Sequence, residues 1–148
     1  MKKCDINTDL LLFRIFHIHK IICNKANKLF SKDGVHIQVE QIPVLMVVHH
    51  LGPQSQQDIA HELLRDKSSV LRTVGSLQTA GYLKVEHDTI DKRKKLVKLA
   101  PQGAWLAEKI ASEVGDMDSK MFSNLSVAEK LILTELLEKC AEHINTME

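Results

Sequence analysis

Aromatic residues make up only 4% of this chain, with one Trp, one Tyr and four Phe, so its core must be built mainly from aliphatic side chains. Cysteine is as scarce. Cys4, Cys23 and Cys140 are odd in number, far apart and form no C-x-x-C pair, which argues against a disulfide framework and a zinc knuckle. No apolar run approaches the roughly 18 residues that span a bilayer, so no membrane association is expected. Lys2 and Lys3 open the chain, but Asp5 and Asp9 follow before any apolar stretch. No signal peptide is therefore expected, and the expected compartment is cytoplasmic.

Catalytic and metal motifs are also lacking. There is no H-E-x-x-H, no G-x-S-x-G and no phosphate-binding loop, so the chain is not expected to be an enzyme. No cofactor and no metal is expected. His17 and His19 are two apart and His49 and His50 adjacent, and neither spacing puts both side chains on one helical face. Convergence of Cys23, His36 and His49 from separate helices is the one arrangement left for a regulatory metal. Cys4 and Cys23 are the candidates for oxidant sensing, although nothing marks either thiol as exposed or acidic.

Net charge is nearly absent too, at +1, but its distribution is uneven. From Arg65 to Lys98 there are nine Lys/Arg and four Asp/Glu, giving +5, while the remainder carries −4. A local basic surface of this kind is what a nucleic-acid footprint requires, and the total conceals it.

What is present is helical periodicity. Residues 8–32 carry Leu11, Ile15, Ile18, Ile22 and Leu29, widened by Leu10, Phe13, Ile21 and Phe30, and stop at Asp33-Gly34. Such a broad apolar surface at a chain terminus predicts burial on more than one side, hence a partner chain. A second helix is expected over 38–51 with Ile42, Leu45, Met46 and Val48 buried, closed by Gly52-Pro53. Ser55-x-x-Asp58 reads as a capping box opening a short helix through Ile59, Ala60, Leu63 and Leu64. After a break at 65–67, a further helix runs from about Ser68 to Thr79 and ends at Gly81. Two short strands follow, around Tyr82–Val85 and Leu96–Leu99, with a charged tip over 87–94. Pro101 opens a long helix to about Phe122 with Leu106, Ile110 and Val114 inward. Ser126-x-x-Glu129 opens a last helix carrying Leu133, Leu136, Leu137, Cys140 and Ile144. The expected fold is mainly α, six helices with a two-stranded β-hairpin wing: a winged helix-turn-helix.

One helix of that motif fits the DNA major groove, about 12 Å wide, while its predecessor braces it. On a wheel of the 68–79 helix, Val70, Val74 and Leu77 share one face. Ser69, Arg72, Ser76 and Thr79 share the other, flanked by Ser68 and Thr73. That face holds small hydroxyls and an arginine but no acid. Ser and Thr allow close approach, and Arg can reach guanine O6 and N7 with two hydrogen bonds. Leu71 lies at the margin, either core, which the wheel favours, or against a thymine methyl. Gly75 costs roughly 1 kcal/mol in mid-helix, and close packing against the wing or DNA is one account of it. Lys92, Arg93 and Lys94 at the hairpin tip suit the minor groove or phosphates. Asp91 is expected to pair with a nearby arginine and hold the tip's shape. Gln54, Ser55, Gln56 and Lys67, at the heads of the two helices, complete the candidate DNA-binding set.

These residues resemble the MarR (multiple antibiotic resistance regulator) family. The resemblance is carried by Asp58-Ile-Ala60 with Leu63, Ser68–Val74, Leu77, Gly81-Tyr-Leu83, Asp88, Asp91-Lys-Arg93 and Leu99-Ala-Pro-Gln-Gly103. Ala100 departs from it, standing where the family usually has a threonine cap, and Gly75 stands where an acid is common. The resemblance implies one domain over 1–148, with 1–36 and 101–148 as dimerisation helices and 37–100 as the DNA-binding lobe. It further implies a homodimer on a pseudopalindromic double-stranded DNA operator, acting as a repressor and often released by a small-molecule effector or oxidant. The alternatives are a winged-helix protein-interaction module that does not bind DNA, or a redox- or metal-responsive regulator.

Overall fold

The computed structural model describes residues 10–147, so Cys4 lies outside the described residues. The elements are α1 (Leu11–Lys32), a 3-10 turn (Val39–Gln41), α2 (Ile42–Leu51), α3 (Gln56–Glu62), α4 (Lys67–Thr79), β1 (Leu83–His87), β2 (Lys95–Leu99), α5 (Pro101–Met121) and α6 (Val127–Asn145). This is the expected order of six helices and a hairpin. Contacts divide the chain into two units, Met1–Ala107 and Glu108–Glu148. No helix among the described residues is long and apolar enough to cross a membrane.

In the first unit the core is aliphatic, as the shortage of aromatics requires. Val44, Leu45 and Val48 of α2, Ile59 and Ala60 of α3, Val70, Val74 and Leu77 of α4, Leu83 and Val97 of the hairpin, and Leu106 of α5 are all buried. Three helices in this unit end in the same way. A residue in the left-handed region follows the last turn, and its own N–H and that of the next residue return to the helix carbonyls. Gly34 (φ 70°) closes α1 and Gly81 (φ 83°) closes α4, with Val35 N–H donating to Phe30 O and Tyr82 N–H to Leu77 O, each at 2.9 Å. At α3 the same geometry falls on Leu64 (φ 51°), with Arg65 N–H donating to Ala60 O at 3.0 Å. Leu64 therefore lies beyond the short helix, not inside it.

α1 buries Cys23, Ala26 and Phe30. Of the expected apolar surface only Phe30 is among these: Leu11, Ile15, Ile18 and Leu29 are exposed in the isolated chain, and Ile22 is half-buried. Only the row that meets its own unit is covered. In α2 the buried set includes Val44, while Ile42 and Met46 are half-buried.

β1 and β2 pair antiparallel from Leu83 opposite Leu99 to His87 opposite Lys95. The strands begin one residue later and earlier than their patterns suggest, because Tyr82 is held by the end of α4. The hairpin joins α5 tightly: Ala100 N–H donates to Tyr82 O at 2.9 Å. Gly103 approaches the same carbonyl so closely that a β-carbon there would stand 1.9 Å from it.

The second unit holds the end of α5 and α6. Ser126 caps α6, accepting from Glu129 N–H, while the Glu129 carboxylate accepts from Ser126 N–H at 2.8 Å. That reciprocal bond holds the Glu129 carboxyl below the usual carboxylate range. Val114, expected inward on α5, is 56% exposed. α6 buries no residue: Leu131, Ile132, Leu133, Leu136, Leu137 and Ile144 are exposed in the isolated chain.

Candidate nucleic-acid interface

The helix pair α3–α4 is set by two caps and one strained turn. Ser55 Oγ accepts from Asp58 N–H at 3.1 Å, and its hydroxyl donates to Asp58 Oδ2 at 2.6 Å. The Ser55 hydroxyl holds the Asp58 carboxyl below its ordinary value, and the charges of Lys94 and His61 assist. The hydroxyl of Ser55, a candidate DNA contact, is already committed to this cap. At α4 the cap is Asp66, which accepts from Ser69 N–H at 2.7 Å. Lys67 is consequently the first residue of α4 and exposed, not part of a break.

Within α4, Val70, Val74 and Leu77 are buried, as the wheel requires. The opposite face is rotated slightly from expectation. Ser68, Arg72 and Ser76 are exposed, but Ser69 and Thr73 are only half-exposed. Leu71, which the wheel favoured as core, is 54% exposed and belongs to the outer face. Gly75 and Thr79 stand between Arg72 and the helix end, both exposed. Nothing lies within 4 Å of where a β-carbon of Gly75 would be, so packing against the wing does not explain the glycine. Both residues were absent from the candidate set, although the wheel placed Thr79 on the right face. No acid occurs from Lys67 to Val85. Ser76 is partly engaged: Gln41 Nε2 donates to its Oγ at 2.9 Å, tying the 3-10 turn to mid-α4.

The wing is braced at its base and tied at its tip. Gln54 N–H donates to Val97 O at 3.2 Å and Val97 N–H to Gln54 O at 2.7 Å, so the residue before α3 joins the hairpin as a third, one-residue strand. The Gln54 side-chain amide donates to Leu51 O at 3.2 Å. Gln54 thus acts within the protein at three points. Gln56 is half-buried. Across the strands Lys98 Nζ donates to Glu86 Oε2 at 2.9 Å, which keeps the Glu86 carboxyl below its usual range.

At the tip, Asp91 Oδ1 accepts from Arg93 N–H at 3.1 Å, Asp88 Oδ1 from Ile90 N–H at 3.2 Å, and Lys92 O is bonded to His87 Nδ1 at 2.9 Å. The expected Asp91–arginine pair is therefore a bond to the arginine's main chain; its side chain is left to solvent. Lys92, Arg93, Lys94 and Lys95 are all exposed. Ile90, at the apex, is 94% exposed and no periodic pattern marked it.

The alternative arrangement, convergence of Cys23, His36 and His49 on a metal, is not formed among the described residues. Cys23 Sγ lies 3.6 Å from His19 Nε2 on the preceding turn. Burial pushes the Cys23 thiol up, and the neighbouring Glu40 adds to this. That is the opposite of what a reactive thiol needs. Among the described residues no three His, Cys, Asp or Glu side chains are grouped to hold a metal.

A helix-turn-helix whose second helix turns an acid-free polar face outward, beside a lysine-rich hairpin, defines a winged-helix DNA-binding protein. The sequence profile of the MarR family matches residues 34–94. The chain is 31% identical over 145 residues to the uncharacterized HTH-type transcriptional regulator YkoM of Bacillus subtilis, covering 94% of this chain and 90% of that one. Among solved structures, a mutant MarR of E. coli complexed with operator DNA superposes with a TM-score of 0.77 at 25% identity, over 92% of this chain and 98% of that one. The S. aureus MepR–DNA complex shares the fold with a TM-score of 0.78 at 23% identity, over 90% and 98%. The chain belongs to the MarR family and is a DNA-binding transcriptional regulator.

Proposed function

We propose that the chain is a homodimeric repressor that places α4 of each protomer in successive major grooves of a pseudopalindromic operator and is released by a small ligand. The observation that carries the reading is the outer face of α4, with Ser68, Leu71, Arg72, Gly75, Ser76 and Thr79 exposed and Val70, Val74 and Leu77 buried behind it. Arg72 reads a guanine, the hydroxyls bond phosphates or base edges, and Leu71 meets a thymine methyl. Lys92, Arg93 and Lys94 carry the wing to phosphates or the minor groove. Residues 37–100 form the DNA-binding lobe. The exposed aliphatic rows of α1 and α6 support pairing of two chains through the terminal segments, 1–36 and 101–148. Two half-sites then bind as one, and the occupied grooves are closed to other proteins.

The test is selection of genomic fragments by the purified protein, followed by anisotropy titrations across a salt series. Arg72→Ala is expected to lose roughly 1–3 kcal/mol on the selected site and to relax preference at one base pair. Lys92→Ala is expected to weaken all DNA alike and to lower the salt slope by about 0.9 per site. No salt-dependent affinity for any fragment would leave a winged-helix protein-interaction module.

A further inference from the structure

Each residue of the 3-10 turn is tied to a different element. Val39 N–H donates to Asn27 Oδ1 of α1 at 2.8 Å, and Glu40 O accepts from Arg65 Nη1, in the α3–α4 corner, at 3.0 Å. Gln41 is bonded at both ends of its side-chain amide. Its Oε1 accepts from Gln38 N–H at 2.9 Å, and its Nε2 donates to Ser76 Oγ at 2.9 Å. The two bonds fix which way the amide faces, because exchanging its oxygen and nitrogen would set N–H against N–H at Gln38. Ser76 Oγ is therefore an acceptor toward Gln41, and that bond does not use the hydroxyl proton. Thr79, on the same outer face, differs: its hydroxyl donates to Gly75 O at 3.0 Å. Accepting a bond also polarises a hydroxyl, which makes it a better donor. Ser76 is exposed, one turn beyond Arg72.

We propose that Gln41, a residue outside both α3 and α4, is a positioning residue for operator recognition. It holds the Ser76 hydroxyl as a donor to one acceptor on DNA, a phosphate oxygen or a purine N7. Both are acceptors only, and every base pair presents one purine N7 in the major groove. The ties of Val39 and Glu40 hold the turn itself in place, which a positioning group requires. The inference deepens the proposed function and rests on its placement of α4 in the groove.

The test measures binding of the full-length chain to the genomic fragment that it selects, in a double-variant cycle. Ser76→Ala is expected to weaken binding roughly fivefold. Gln41→Ala is expected to lose about as much on its own and nothing further once residue 76 is alanine. Additive losses, or no loss in Gln41→Ala, would overturn the proposal; additivity would assign Gln41 to the packing of the turn alone. Gln41→Glu keeps an acceptor for Gln38 N–H but reverses the other bond, since a carboxylate accepts from the Ser76 hydroxyl. Its loss is expected to exceed that of the same change made in Ser76→Ala, where only the added charge acts. Equal losses would also count against the proposal. Fragments carrying 7-deazapurines or methylphosphonates separate the two acceptors. The Ser76→Ala penalty is expected to vanish on one of them, and a penalty undiminished on both would end the donor role. Arg72→Ala, measured in parallel, separates this inference from the groove reading. If it weakens binding while the Ser76 and Gln41 variants do not, only the inference fails. If none of these variants matters, the groove reading fails with it.

Discussion

At two residues of the helix-turn-helix, backbone conformation and residue type are exchanged. The left-handed position closing α3 holds Leu64, where α1 and α4 use Gly34 and Gly81. A β-carbon in that region costs roughly 1–2 kcal/mol, against which glycine's extra freedom in the unfolded chain must be set. Leu64 is 86% exposed, so deleting its side chain loses little burial. Leu64→Gly is expected to raise stability by about 0.5–1 kcal/mol, read as a higher urea midpoint with an unchanged slope. Conversely, the helical Gly75 has open space around it. Gly75→Ala is expected to stabilise the fold by about 0.5–1 kcal/mol and, if α4 lies in the groove, to weaken operator binding at the same time. Stabilisation with unchanged affinity would remove Gly75 from the interface. Val70, Val74 and Leu77 were legible because helical period alone decides which residues point inward. Leu71 was not, because a residue at the margin is assigned by its tertiary neighbours. Nor was Leu64, since a left-handed turn is a steric feature of the closed α3–α4 corner and leaves no mark in hydrophobic pattern.

The elements themselves are joined by caps and one close backbone approach. Both capping boxes, Ser55/Asp58 and Ser126/Glu129, were readable from spacing and are formed. The Asp66 cap was not read, which is why α4 starts earlier than its apolar pattern suggested. Asp58 has its carboxyl lowered in the folded chain, chiefly by the Ser55 hydroxyl. A lowered folded-state value means that the contribution is complete above the ordinary carboxylate value, about 4, and is lost as pH falls through the lowered one. Ser55→Ala is expected to cost about 1 kcal/mol at neutral pH and to flatten the acid limb of the stability curve. An unchanged acid limb would show that the box contributes nothing there. At the α5 end, the family-like stretch Leu99–Gly103 was legible as a motif, but its reason was not. Gly103 is needed because the first turn of α5 lies against the Tyr82 carbonyl, where a methyl has no room and the backbone cannot easily yield. Gly103→Ala is expected to destabilise by about 3 kcal/mol, measured by thermal unfolding. A cost as small as that of an exposed helical glycine would contradict the approach.

For the whole molecule the open question is what covers the aliphatic rows of α1 and α6. Leu11, Ile15 and Ile18 on one, and Leu133, Leu136 and Leu137 on the other, are exposed in the isolated chain at positions that helical periodicity marks as apolar stripes. Isolated exposed leucines need no explanation, but continuous rows of them mark an interface. The sequence signalled this through the breadth of the first helix, because amphipathicity reports that a face is to be buried without saying by what. If a second copy buries these rows, stability depends on concentration, and a tenfold dilution is expected to lower it by about 1.4 kcal/mol per dimer. Leu133→Glu with Leu137→Glu is expected to yield monomers by light scattering, since each glutamate would place a charge in an apolar contact. Such monomers retain every group on the outer face of α4 and on the wing. They should therefore keep weak, salt-dependent DNA affinity and lose the selectivity that depends on engaging two half-sites together. If the double variant is instead monomeric and as tight on the operator as the parent, one lobe suffices for binding. The apolar rows would then serve some purpose other than pairing the two recognition helices.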